Sequence, residues 1–255
     1  MTRGRTASPA AALWRLIPGA ALLVALVASS SGCVDDHSLF IVQNQVPDNT
    51  CTVSTGANAL FRPSGLLDVS LGRGYTLYPL VRSTILSSQA TNAAQPETNS
   101  FMLREFRVKL DISDLPAEAT GNLPANVTNF SVPTSGLLAP NTPERATAVK
   151  IIPDSLVQNV TIPAQASPII VATVQAIAVR LGTSSEIEGA EFVYAVELCN
   201  GCLVQNVTPC PLDANVDPAD VPKYTTNACG LPQDEPLACC GVGSGSLRCL
   251  TDNSL

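Results

Sequence analysis

The 255-residue sequence predicts an all-β protein, an antiparallel sandwich that ends in a loop-rich, disulfide-stapled tail. Three observations predict it. Short apolar runs recur between clusters of Gly, Pro, Asn and Ser, the punctuation of strands and turns. The clearest run, residues 106–112 (FRVKLDI), puts Phe106, Val108, Leu110 and Ile112 on one face and Arg107, Lys109 and Asp111 on the other, the period of two that a half-solvated sheet requires. Seven of the nine cysteines follow residue 198, in a segment so rich in Pro, Gly, Asn and Asp that covalent staples must replace a core.

Strands are expected in chain order at 39–46 (LFIVQNQV), 65–71 (GLLDVSL) and 75–81 (YTLYPLV), with Gly72-Arg73-Gly74 as a tight turn between the last two. Others follow at 106–112, 126–132, 147–152, 156–162, 171–181 and 192–199. In the last of these Phe192, Tyr194, Val196 and Leu198 share one face, and residues 182–189 connect it to its predecessor as a long hairpin. Residues 171–181 (VATVQAIAVRL) fit a short helix or a strand; Pro168 and the β-branched content favour the strand. Residues 87–99 and 137–144, the latter with Pro140 and Pro143, read as exposed loops. About nine short strands with frequent turns suggest an immunoglobulin-like sandwich over residues 38–199, followed by a Cys-rich segment over 200–255. The likeness stops at architecture, because the Cys-Trp-Cys signature is absent and the one tryptophan is Trp14.

The N-terminus has the parts of a secretory signal. Arg3, Arg5 and Arg15 are basic, about a dozen apolar residues follow, and small residues lead to Cys33. The apolar run is short for a spanning helix and is interrupted by Pro18 and Gly19. Three outcomes remain open: a lipidated product, a soluble cleaved product, and an uncleaved anchor. The segment Ser30-Ser31-Gly32-Cys33 resembles the cleavage site of bacterial lipoproteins, with serine where that family commonly has leucine. The resemblance implies removal of residues 1–32, a diacylglyceryl thioether on Cys33, and a tether of residues 33–37. It also implies attachment to a membrane without a transmembrane helix. In enterobacterial lipoproteins an Asp directly after the cysteine favours inner-membrane retention; Val34 stands there in this chain, so the resemblance implies the outer membrane, and the face of that membrane stays open.

Removing 1–32 leaves 223 residues and takes away three arginines and no acid, so the formal charge moves from −7 to −10. With only Lys109, Lys150 and Lys223 as lysines, the chain lacks the basic footprint of a nucleic-acid binder. Giving Cys33 to lipid leaves Cys51, Cys199, Cys202, Cys210, Cys229, Cys239, Cys240 and Cys249, an even set suited to disulfides in an oxidising compartment. Seven of these lie in the tail. If all pair within the chain, Cys51 must bond into the tail; the sequence leaves open to which cysteine, as eight cysteines allow 105 connectivities. Adjacent Cys239 and Cys240 are expected to bond to different partners.

The tail order GAEFVYAVELCNGCLV, then NACGLPQDEPLACC, resembles the ends of secreted lipoproteins of myxobacteria and related deltaproteobacteria. Cys199, Cys202, Leu203, Gly230, Gln233, Asp234, Glu235 and Cys239 are the matching positions. That resemblance implies an envelope protein and carries no activity.

Cys199-Asn200-Gly201-Cys202 has thioredoxin spacing, but a strand-like LVQNVTP follows where a reactive pair needs a helix, so a structural disulfide is expected. An exported chain with a single histidine argues against thiolate zinc. Asp213, Asn215 and Asp217, with Asp220 nearby, have calcium-loop spacing, yet Pro218 and Tyr224 stand where such a loop needs Gly and Glu. The only histidine, His37, lies in the tether, which disfavours Ser-His and Cys-His catalysis. No catalytic residue, metal or cofactor is assigned. The expected function is a non-catalytic, lipid-anchored envelope protein that gives structural support or binds an envelope protein partner; the alternative is an envelope hydrolase that uses carboxylates.

Overall fold

The computed structural model describes residues 38–48, 50–56, 59–86, 99–121, 123–124, 126–140, 145–206, 229, 231–242 and 246–249. The chain divides into Met1–Asp36 and His37–Leu255, and the first unit, with Cys33, lies outside the described residues.

Two β-sheets form the body. The smaller has the order β2-β1-β5-β8, from β1 (Leu39–Gln45), β2 (Phe61–Arg62), β5 (Pro79–Ser83) and β8 (Arg145–Ala146). The larger has the order β3-β11-β10-β6-β7, from β3 (Gly65–Asp68), β6 (Phe101–Asp111), β7 (Asn129–Leu138), β10 (Ile169–Arg180) and β11 (Glu186–Cys199). One core joins them: Leu39, Ile41 and Val81 from the first sheet pack in the same buried cluster as Phe106, Val108, Ala172, Val174, Tyr194 and Val196 from the second. This is the layered all-β arrangement that alternation predicts, since each sheet has one apolar face to cover.

The alternation holds in detail. Phe106, Val108 and Leu110 are buried, while Lys109 and Asp111 are exposed. Tyr194, Val196 and Leu198 are buried, and Val193 on the opposite face is 62% exposed. Residues 171–180 fall in β10 (Ile169–Arg180) and Leu181 lies in the turn after it; the strand's inward positions 170, 172, 174 and 176 are fully covered. Its hairpin to β11 is tighter than expected, because Glu186–Cys199 already starts at residue 186.

Four expectations need correction. Residues 156–162 do not form a strand: α2 (Asp154–Val157) is a helical turn, the second after α1 (Ala117–Thr120), and Val160 and Ile162 are buried beyond it. Pro153 at its N-cap and the Asp154 carboxylate, bound to the Gly74 N–H at 2.6 Å, set that turn, and Leu156 and Val160 share the face it buries. The glycines at 72–74 do not close a hairpin. Gly72, at φ +65°, ends the 3₁₀ turn Val69–Leu71, and the chain then crosses from the larger sheet, through β4 (Thr76–Leu77), to the smaller. Gly74 is needed at this crossing, because a Cβ there would stand 1.8 Å from the Ile152 carbonyl oxygen. β4 pairs with β9 (Val149–Lys150), a shorter strand than the expected 147–152. Finally, the sheets are not purely antiparallel, since β3 runs parallel to β11, with Asp68 opposite Cys199.

The tail adds a three-stranded sheet, in which β13 (Leu237–Val242) lies between β12 (Val204–Asn206) and β14 (Ser246–Cys249). Disulfides join Cys51 to Cys229, Cys199 to Cys202 and Cys239 to Cys249, and Cys240 is also disulfide-bonded. Cys51 thus bonds into the tail, and the adjacent Cys239 and Cys240 have different partners.

Candidate functional site

The residues singled out in the tail converge on the end of β3. Gln233 and Leu67 form an isolated bridge, the Asp234 N–H donates to the Leu66 carbonyl, and the Asp68 N–H donates to the Pro232 carbonyl. The tail therefore reaches the body as an added segment of strand.

Two buried carboxylates hold this junction, one from each side. Asp68 is fully buried and comes from the body. Its Oδ1 accepts from the Ser70 N–H and hydroxyl and from the Gly201 N–H, and its Oδ2 accepts from the Leu203 N–H at 2.8 Å. The carboxylate thereby caps the 3₁₀ turn and holds the Cys199–Cys202 loop; Gly201, at φ +79°, supplies the left-handed backbone that aims its N–H inward.

Asp234 comes from the tail. Its Oδ1 accepts from the Leu66 N–H at 2.9 Å and its Oδ2 from the Tyr75 hydroxyl at 2.9 Å, with the Arg62 guanidinium 3.8 Å away. Tyr75 is the largest fully buried side chain, beside Tyr194, and their hydroxyls lie 3.0 Å apart. Because Tyr75 commits its proton to Asp234, Tyr194 donates to Tyr75, and the Asn44 amide donates to Tyr194 at 2.8 Å. Asn44 also accepts from the Tyr78 N–H. Next to this chain the Gln233 amide forms a two-way bond with the Thr76 backbone, accepting from its N–H and donating to its carbonyl, both at 2.8 Å. Gly65 makes room for the Tyr75 ring, which a Cβ would meet at 2.5 Å. Glu235 reaches back to Arg62 at 2.8 Å.

Burial pushes the Asp234 carboxyl above its ordinary range, against the opposing pull of the Leu66 N–H and the Tyr75 hydroxyl. Burial likewise pushes the Tyr75, Tyr194 and Tyr78 phenols up. Neither Tyr75 nor Tyr194 is thus poised as a phenolate at neutral pH.

No family model, curated protein or solved structure matches this chain. The chemistry of the junction rests on its geometry alone. Asp68, Cys199 and Cys202 bring three donor atoms of metal-ligand type within 4.8 Å of one another. The sulfurs are bonded to each other, and the carboxylate already accepts four hydrogen bonds, so the group is a structural clasp in this state. Cys199 ends a strand and β12 follows it, so the pair lacks the helix N-terminus that would activate a thiol.

Of the positions matched in the tail resemblance, Cys199, Cys202, Leu203, Gln233, Asp234 and Glu235 all act at this junction, and Cys239 staples β13 to β14. Gly230, Cys33, Cys210, His37 and the acidic group Asp213, Asn215, Asp217 and Asp220 lie outside the described residues. Sequence reasoning did not find Asn44, Tyr75 or Asp68. Asn44 carried one signal, a polar residue inside an apolar run, which becomes meaningful only once its partner 150 residues away is known.

Proposed function

We propose that this chain is an exported lipoprotein, anchored through a diacylglyceryl group on Cys33 in the outer membrane, whose sandwich has a non-catalytic structural or partner-binding role in the envelope. One observation carries the reading: each of the seven described cysteines is in a disulfide, which fits an oxidising compartment. Parity sharpens it. The bonds of Cys51, Cys199 and Cys239 leave Cys210 and Cys33 as the cysteines to which Cys240 can be joined. A lipid on Cys33 requires the partner to be Cys210.

The hydrolase alternative needs two free, convergent carboxylates. Among the described residues Asp68 and Asp234 are engaged by backbone and hydroxyl donors, and Glu105, Glu186 and Glu188 converge on Arg107. These arrangements favour a supporting role. No helix among the described residues is long and apolar enough to cross a membrane, so in this reading the lipid supplies the anchor.

Intact mass analysis of the native mature protein, with peptide mapping, tests the proposal. The expected product begins at Cys33, carries diacylglyceryl, links Cys210 to Cys240, and gains one hydrogen for each of eight cysteines on reduction. A chain that begins elsewhere without lipid, or a Cys33–Cys240 peptide, would overturn it.

A further inference from the structure

We infer that the end of the sandwich where β1 begins rests on the bilayer surface, with Leu86 and Leu181 entering the lipid interface, so that the stapled tail faces away from the membrane. The inference rests on the lipoprotein reading. Leu39 opens β1 only six residues after Cys33, and six residues reach at most about 20 Å. The anchor therefore holds this end close to the lipid.

Three of the exposed large apolar side chains gather at that end. The Thr84 N–H donates to the Ser38 carbonyl, which sets the exit of β5 beside the start of β1, and Leu86 follows, 75% exposed. The Asn99 amide donates to the Leu86 carbonyl and also meets Arg180, while the Leu181 N–H donates to the Ser100 carbonyl. Leu181, 49% exposed, thus sits on the hairpin beside Leu86. Leu137, half-exposed, pairs with Met102 on the adjoining strand. Gly189 fixes the hairpin against β1, since a Cβ there would stand 2.9 Å from the Leu39 carbonyl oxygen.

Charge selects the same orientation. Residues 181–185 at the hairpin tip (LGTSS) carry none, Arg82 and Arg180 flank this end, and the acids that follow, Glu186 and Glu188, share Arg107 with Glu105. The opposite end carries the exposed Asp48 and Glu235 near the ends of β1 and β3, with Arg62 paired to Glu235. An acidic end is repelled by anionic headgroups, whereas an uncharged leucine tip flanked by arginines is not. Cys199 and Glu186 stand at opposite ends of β11, about 40 Å apart for an extended strand, so the tail junction lies well clear of the surface.

The test uses lipid vesicles of phosphatidylethanolamine and phosphatidylglycerol with brominated acyl chains. The mature chain has no tryptophan, so Leu86→Trp, Leu181→Trp and, at the opposite end, Phe61→Trp each give a single reporter. With the native lipidated protein, residues inserted about 5–10 Å into the interface should lose about half of their emission at positions 86 and 181, with a blue shift, while position 61 keeps its emission. Equal quenching at all three positions, none at 86 and 181, or quenching confined to 61 would overturn the inference. The same variants of residues 33–255, coupled through the Cys33 thiol to a maleimide lipid, separate the two ideas. Selective quenching there sustains the surface even if native Cys33 proves to carry no lipid, and its loss in both preparations sinks the surface alone.

Discussion

The body and the tail are held by opposite chemistries. In the body, strands of alternating sequence bury Phe106, Val108, Tyr194 and Val196 in one shared core, and removal of apolar surface from water drives the assembly. The tail has little apolar surface to offer; it is fixed by disulfides and by hydrogen bonds to Asp68, Gln233 and Asp234. Burying Leu, Val or Phe is tolerant of geometry, whereas a buried carboxylate must find each donor in place or become a liability. The tail is thus docked in one register, and the tyrosine pair of the body is built to receive it.

The largest expected effect comes from opening the long clasp. Cys51 and Cys229 are 178 residues apart, so replacing both by serine removes about 5 kcal/mol of stabilisation in the chain-entropy account. The thermal midpoint should fall by about 10–20 °C. A fall of only a degree or two would mean that the polar junction alone holds the ends together. Phe106→Ala, which hollows the core without touching the tail, should cost about 3–5 kcal/mol in urea unfolding. Its signature is global: amide protection should drop in the body and the tail together.

Asp234→Ala should cost less, about 1–3 kcal/mol, because it leaves the Leu66 N–H and the Tyr75 hydroxyl without their acceptor. Here the loss is local. Hydrogen exchange should speed up at Leu66 and Asp68, whose backbones pair with Pro232 and Asp234, while Val108 and Val174 in the central strands stay protected. Equal acceleration at all four amides would show that junction and body unfold as one unit.

The same division governs what could be read from the sequence. Alternation exposed β6 and β11 because a period of two is a local property of residues 106–112 and 192–199. The odd cysteine count led to Cys51 because parity needs no geometry. The turn at Asp154–Val157 was hidden, since Asp154 is set by Gly74, 80 residues earlier. Asp68 and Asn44 were hidden for the same reason: a polar residue in a strand looks solvated until its donors, from residues 201 and 203 or from Tyr194, arrive from distant sequence. The resemblance marked Gln233 and Asp234 in the sequence, but their role shows only in their contacts with Thr76 and Tyr75, more than 150 residues earlier.

The subtlest prediction uses pH to set the two regions against each other. Burial raises the Asp234 carboxyl above its unfolded value of 3.8, so the folded protein binds this proton more tightly than the unfolded chain. The stabilisation from its protonation is complete below 3.8 and is lost as pH rises through the raised folded value. Asp154 has the opposite sign. Its hydrogen bond with Lys150, and then the Gly74 N–H, holds its carboxyl below 3.8, so its contribution is present above 3.8 and disappears as pH falls through the lowered value. Acidification from neutral pH should therefore strengthen the tail junction before it weakens the body. Urea midpoints measured from pH 7 to pH 3 on the wild type, Asp234→Asn and Asp154→Asn read this directly. Asp234→Asn should flatten the upper part of the profile, above pH 3.8, and Asp154→Asn the lower part. Parallel wild-type and Asp234→Asn profiles above pH 3.8 would show that Asp234 stays ionised in the fold, and the junction would then be held by a paired charge, with Arg62 as its counterion.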